Sequence, residues 1–200
     1  MNRREAIQRT AIAMGYAITG PTLIGVLNGC KATPELPFTP AFFTEEQALQ
    51  IAQLAEIILP RTDTPGANDV GVPMFIDSLL KEAYPQEAQD TFLKNLAEFD
   101  EDARNTYGKN FTACKEEEKI AHFKKHHDTA LQDSAGGYSS GWWNAGMNTS
   151  KPFVLEVKEL TLLGFFTSEP GATQVLQYNQ VPGPFQGCVP LSKVGKAWAT

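Results

Sequence analysis

Residues 44–60 read TEEQALQIAQLAEIILP. Thr44 has the chemistry of a helix N-cap, and Gln47, three residues on, completes a capping box. Leu49, Ala52, Leu54, Ala55, Ile57 and Ile58 then recur at helical spacing and form a wide apolar face. Pro60 stops the helix, since it has no N–H to donate and its ring clashes with the turn before it. So broad an apolar face must be covered by other elements, and the rest of the chain supplies helices to do it.

Directly after Pro60 comes Arg61-Thr62-Asp63-Thr64-Pro65-Gly66-Ala67-Asn68-Asp69-Val70-Gly71, a loop by its density of Gly, Pro, Asp and Thr. A second helix is expected from near Pro73 to about Tyr84, with Met74, Phe75, Ile76, Leu79 and Leu80 as its apolar residues. A third spans about Gln86–Tyr107, with Phe92, Leu93, Leu96 and Phe99 at helical spacing. A fourth spans about Lys115–Leu131, with Ile120, Phe123 and Leu131. Residues 133–150, DSAGGYSSGWWNAGMNTS, read as a loop carrying Tyr138, Trp142 and Trp143. A fifth helix follows Pro152, with Phe153, Leu155, Val157, Leu160, Leu163 and Phe166, and a short one runs from Gly171 to about Leu176. From Tyr178 onward Pro and Gly predict an irregular tail. No repeat and no strand-dominated stretch occurs. The expected fold is all-α, a domain of five to six helices over residues 44–200 with long Pro/Gly-rich loops.

Upstream, residues 31–43 form a linker that includes KATPELPFTP, whose three prolines favour an extended tether. Residues 1–30 have the order of an export signal: basic Arg3 and Arg4, an apolar run from Ala11 to Leu27, then Cys30. The arginine pair resembles a twin-arginine signal, which exports folded proteins. Leu27-Asn28-Gly29-Cys30 resembles a lipobox, with Asn where Ala or Ser is commoner. The alternatives are a signal or anchor without lipidation, or a buried helix; the run is near the lower limit of the roughly 20 residues a bilayer span needs, and it contains three glycines and a proline. The leading expectation is a lipoprotein tethered through Cys30 to the periplasmic side of a bacterial envelope.

Formal charge is −6 for the 200 residues and −8 once the first thirty are set aside. An acidic body argues against nucleic acid and against direct binding to anionic lipid, so membrane contact falls to the N-terminus. With Cys30 acylated, Cys114 and Cys188 remain, and in an oxidising compartment they are expected to pair; two buried free thiols are the alternative.

Cofactor motifs are missing. No G-x-G-x-x-G follows a strand, and there is no C-x-x-C-H, G-x-S-x-G, P-loop or H-E-x-x-H. His122 and His126, four apart on a helix with Glu118 one turn earlier, share a face that suits a metal. Phe123 stands where a zincin has glutamate, and the ferritin-like E-x-x-H pair is absent. The run KEEEKIAHFKKHHD therefore reads as a solvated charged face, and no metal is expected. Arg61 and Asp63 are chemically able to form a catalytic pair, but in such a loop they more often hold the turn. Trp142 and Trp143 suit a partner's pocket, this domain's own core, or stacking on sugar.

Two stretches resemble the gluconate 2-dehydrogenase subunit 3 family: Ile58-Leu59-Pro60-Arg61-Thr62-Asp63-Thr64-Pro65-Gly66-Ala67 continuing into Val72-Pro73-Met74-Phe75-Ile76-Asp77, and Leu162-Leu163-Gly164-Phe165-Phe166-Thr167-Ser168-Glu169-Pro170-Gly171 continuing into Tyr178-Asn179-Gln180-Val181-Pro182-Gly183-Pro184-Phe185-Gln186-Gly187-Cys188. The resemblance covers nearly all of residues 40–190. It implies a small subunit without a cofactor or catalytic residues of its own. Such a subunit joins a glucose–methanol–choline-type flavoprotein that carries FAD, often with a multihaem cytochrome c subunit, and its signal helps export the prefolded flavoprotein. On this reading Arg61, Asp63, Trp142, Trp143, Tyr178 and Phe185 are the interface candidates. A lipid-anchored carbohydrate-binding protein, or a subunit lending residues to the dehydrogenase active site, are the alternatives.

Overall fold

The computed structural model describes residues 36–133, 151–181, 183–184 and 187–199. The chain divides into two units, residues 1–37 and 38–200, and the helices described below belong to the second. They are α1 (Glu45–Ile58), α2 (Val72–Ala83), α3 (Gln86–Tyr107), a 3₁₀ turn (Phe111–Ala113), α4 (Glu116–Asp133), α5 (Phe153–Thr167), a π turn (Gly171–Val175) and α6 (Leu191–Val194). No strand occurs among the described residues; one isolated bridge joins Gln177 to Trp198. The fold is all-α.

The Thr44 capping box forms as expected: Thr44 Oγ1 accepts from the Gln47 N–H, and Gln47 Oε1 accepts from the Thr44 N–H. A buried carboxylate fixes the approach to α1. Asp77, 2% exposed on α2, accepts the backbone N–H groups of Ala41, Phe42 and Phe43 at 2.8–3.0 Å. Three donors compensate the desolvation of that carboxylate, which would otherwise be prohibitive.

Helix α5 is the hub. Its sequence is apolar on nearly every side, and it packs on α1, α2, α3 and α4 at once. Phe153 at its start meets Phe92 and Phe99 of α3, at ring-centroid distances of 5.4 and 5.6 Å. Phe43 and Phe111 extend that aromatic file at either end.

Two expectations about helix faces are corrected. Ile120 and Leu131 of α4 are about half exposed, whereas Lys119, His122 and Ala130 are buried. The inward face of α4 is therefore turned away from its own large aliphatic residues, because Phe99 of α3 and Phe111 of the 3₁₀ turn pack on the His122 ring. On α2, Met74 is 52% exposed while Val72, Ile76 and Leu80 fill the core. The tail is also more ordered than expected. It contains α6 and returns to Gln177, just past the π turn, whose N–H donates to Ala197 O at 2.8 Å and whose carbonyl accepts the Ala199 N–H at 3.0 Å.

Candidate functional site

The loop between α1 and α2 folds around two carboxylates. Glu56, in the last turns of α1, accepts the N–H groups of Arg61 and Asn68 at 2.9 and 3.2 Å. Asp69 accepts the Gly66 N–H at 2.9 Å and lies 3.4 Å from Arg61 Nε. The Ala67 N–H donates to Leu59 O, the Val72 N–H donates to Ala67 O, and Ala67 itself is fully buried. A thirteen-residue connection, 59–71, is thus held by its own backbone donors, as a compact surface loop requires. The Arg61–Asp63 pairing considered from sequence is not the one that forms: Arg61 pairs with Asp69, and Asp63 is exposed with no hydrogen bond or ion pair among the described residues.

The two family-like stretches, about 100 residues apart in sequence, meet in space. Phe75 of α2 lies on Gly164 of α5 so closely that a Cβ at 164 would fall 2.7 Å from the Phe75 ring. At Gly171, which opens the π turn, a Cβ would fall 1.9 Å from Phe165 O, so no other residue fits there. This close packing sets Pro170 and Gln174 beside the loop. Together with Arg61, Thr62, Asp63 and Asp69 they border an open cleft of about 370 Å³. Its rim is polar and bears both signs of charge. It has the polar, exposed character of an interface rim and contains no nucleophile–base pair.

The structure brings some of the expected interface residues together. Arg61 and Asp63 share the cleft, and Tyr178 is 52% exposed just beyond the π turn. Trp142, Trp143, Phe185, Cys30, Arg3 and Arg4 lie outside the described residues. The expected Cys114–Cys188 disulfide is not formed. Both cysteines are free: Cys114 is buried, with its thiol donating to Asn110 O at 3.4 Å, and Cys188 is exposed on the tail. Burial also pushes the Cys114 thiol up from its ordinary pKa. Among the described residues no helix is long and apolar enough to cross a membrane.

Two further clusters of ionisable groups lie away from that cleft. Glu156 of α5 is pushed up to about 7 by burial, against the pull of Lys151 and Tyr84. Burial and the neighbouring Glu156 charge hold the Tyr84 hydroxyl above its usual range. Lys151 pairs with Glu159, and burial lowers the lysine and raises the carboxylate.

The other cluster joins α3 to α4. Asp102 accepts from Lys125 Nζ at 2.9 Å and lies 2.9 Å from His126 Nε2. His122 is buried, and burial lowers its pKa, so the ring is neutral at pH 7. The two histidines share a face as expected, but the third group beside them is Asp102 and not Glu118. Glu118 instead turns outward to Lys109 and the Lys115 N–H. Asp102 was detectable in principle, three residues after core residue Phe99 and so beside the buried stripe of α3.

No curated protein and no solved structure matches the chain. The family model for gluconate 2-dehydrogenase subunit 3 matches residues 45–183, which include the helices from α1 to the π turn, all of the 58–77 stretch and the 162–188 stretch as far as Gly183. The chain belongs to the gluconate 2-dehydrogenase subunit 3 family.

Proposed function

We propose that this chain is the non-catalytic small subunit of a membrane-associated, flavin-dependent sugar or polyol dehydrogenase, which it stabilises and helps to export. The observation that carries the reading is the family match over residues 45–183. The family is a subunit of a multi-subunit dehydrogenase, which supports partner subunits in general; a flavoprotein carrying FAD, and a cytochrome c beside it, are the finer proposal. The geometry agrees with a docking role. Phe75, Gly164 and Gly171 of the two family stretches are used for internal packing, while a polar loop with Arg61 and Asp63 beside Pro170 and Gln174, and Tyr178 and Val181 beyond the π turn, face outward. Export rests on Arg3 and Arg4, and tethering on Cys30.

Co-expression tests this. The flavoprotein is produced with and without the full chain, and periplasmic dye-linked sugar oxidation is measured. Export and activity are expected to require this chain. A flavoprotein that reaches the periplasm and turns over without it overturns the proposal.

A further inference from the structure

We propose that Asp102, His122 and His126 form a binding site for a divalent transition-metal ion of the zinc type, clamping α3 to α4. One ligand atom from each residue lies within 4.8 Å of the others. His122 Nε2 lies 3.1 Å from Phe99 O, and a neutral ring there donates its Nε2–H to that carbonyl. This leaves the Nδ1 lone pair outward from the carbonyl and 3.8 Å from Asp102 Oδ2, too long for a hydrogen bond. The His122 side chain is 0% exposed, and its Nδ1 has no hydrogen-bond partner.

A buried acceptor left bare costs about 1–3 kcal/mol, so such groups ask for an explanation. Metal coordination gives one. An imidazole whose second nitrogen donates to a backbone carbonyl is the usual arrangement of a metal-bound histidine, since that bond fixes both tautomer and ring orientation. Two imidazoles and one carboxylate suit zinc, and they suit neither calcium nor magnesium, which prefer all-oxygen shells.

Coordination requires the two partly exposed ligands to move. A tetrahedral zinc with bonds of about 2.0–2.1 Å sets its donors roughly 3.3–3.5 Å apart. Asp102 and His126, both partly exposed and now 2.9 Å apart, must separate, and Asp102 must draw toward His122 from 3.8 Å; with all three ligand atoms within 4.8 Å of one another, rotation of the two partly exposed side chains supplies this while His122 stays fixed. Lys125 now occupies the same carboxylate oxygen; it is 59% exposed and free to swing into solvent. The ligand set opens on a cleft of about 520 Å³ that Asp102 and His126 help to line, so a fourth position is open to water.

The inference is independent of the dehydrogenase assignment, and its test needs no partner. The full chain, without a polyhistidine tag, is titrated with Zn²⁺ by calorimetry, and Co²⁺ is used as a spectroscopic substitute. One ion per chain is expected, with visible Co²⁺ bands that Zn²⁺ removes. Asp102→Asn and His126→Ala should each weaken Zn²⁺ binding by at least about 10–100-fold, the range in which even the outer partners of metal ligands act. Lys125→Met, which removes the competing cation, should bind as tightly or more so. Absence of stoichiometric Zn²⁺ uptake, or uptake that Asp102→Asn and His126→Ala leave unchanged, overturns the site and leaves only an ion-pair network. His122 is not replaced, because its loss from the core would confuse unfolding with lost ligation. The Co²⁺ spectrum of the wild-type chain stands as the check should either variant misfold.

Discussion

Asp77 shows how a carboxylate in a motif-like stretch can be used wholly for structure. It ends a family-like stretch, yet its carboxylate is buried beneath the N–H groups of Ala41, Phe42 and Phe43. Asp77→Ala should destabilise the fold by about 2–4 kcal/mol, because it strands three donors that a charged acceptor had satisfied. Asp77→Asn, which keeps one acceptor, should cost less. Urea unfolding midpoints of the two variants check the order. Glu156 is the residue-scale case for pH. Its pKa of about 7 lies above the ordinary 4.5, so the folded state binds the proton more tightly than the unfolded state. Its contribution is therefore at its best below about pH 4.5 and is lost as pH rises to about 7. Glu156→Gln removes that slope. At pH 8 the variant should gain roughly 2–3 kcal/mol on the wild type relative to pH 4.5, at about 1.4 kcal/mol per unit. Glu159 titrates in both proteins and so largely cancels from the difference. Denaturant unfolding of both at each pH measures it.

At the scale of elements, α1 was legible because its signals are local: the capping box lies within residues 44–47 at one end, and Pro60 stands just past Ile58 at the other. Thr44→Ala should cost about 1 kcal/mol, seen as a lower thermal midpoint. The face of α4 was not legible. Its apolar residues are few, its charges many, and the choice between Ile120 and His122 as the inward residue depends on which neighbour arrives. Phe99 and Phe111 pack on the His122 ring, and Ile120 is left outside. Ile120→Lys should therefore change stability by less than about 1 kcal/mol, where a core position would lose 2 or more. Circular dichroism melts distinguish the two. The disulfide was illegible for a related reason. Cysteine count sets what is chemically allowed, while pairing needs two Cβ atoms brought within about 4.5 Å, which no local signal reports.

For the whole molecule, residues of the 58–77 and 162–188 stretches that look like motifs divide into two jobs. Gly164, Gly171, Phe75 and Asp77 hold the helices at close range. Arg61 and Asp63 face outward at the cleft. A double substitution, Arg61→Glu with Asp63→Lys, should leave the folded chain within about 0.5–1 kcal/mol of wild type, as surface changes usually do. Under the proposed function it should also lower recovery of the flavoprotein in a pull-down severalfold. Equal recovery with the reversed charges would place the interface elsewhere. The sequence by itself determined the all-α class, the bounds of α1–α5 to within a residue or two and the family, because caps, prolines and a 3.6-residue apolar period act over a few residues of chain. Only the tertiary structure decided which face of α4 is buried, that Arg61 answers Asp69, that both cysteines stay free, and that Asp102 joins two histidines on another helix. The first, third and fourth depend on distances between segments remote in sequence, and the second on how the α1–α2 loop folds back on itself around Glu56 and Asp69; tertiary packing fixes these distances and no local signal reports them.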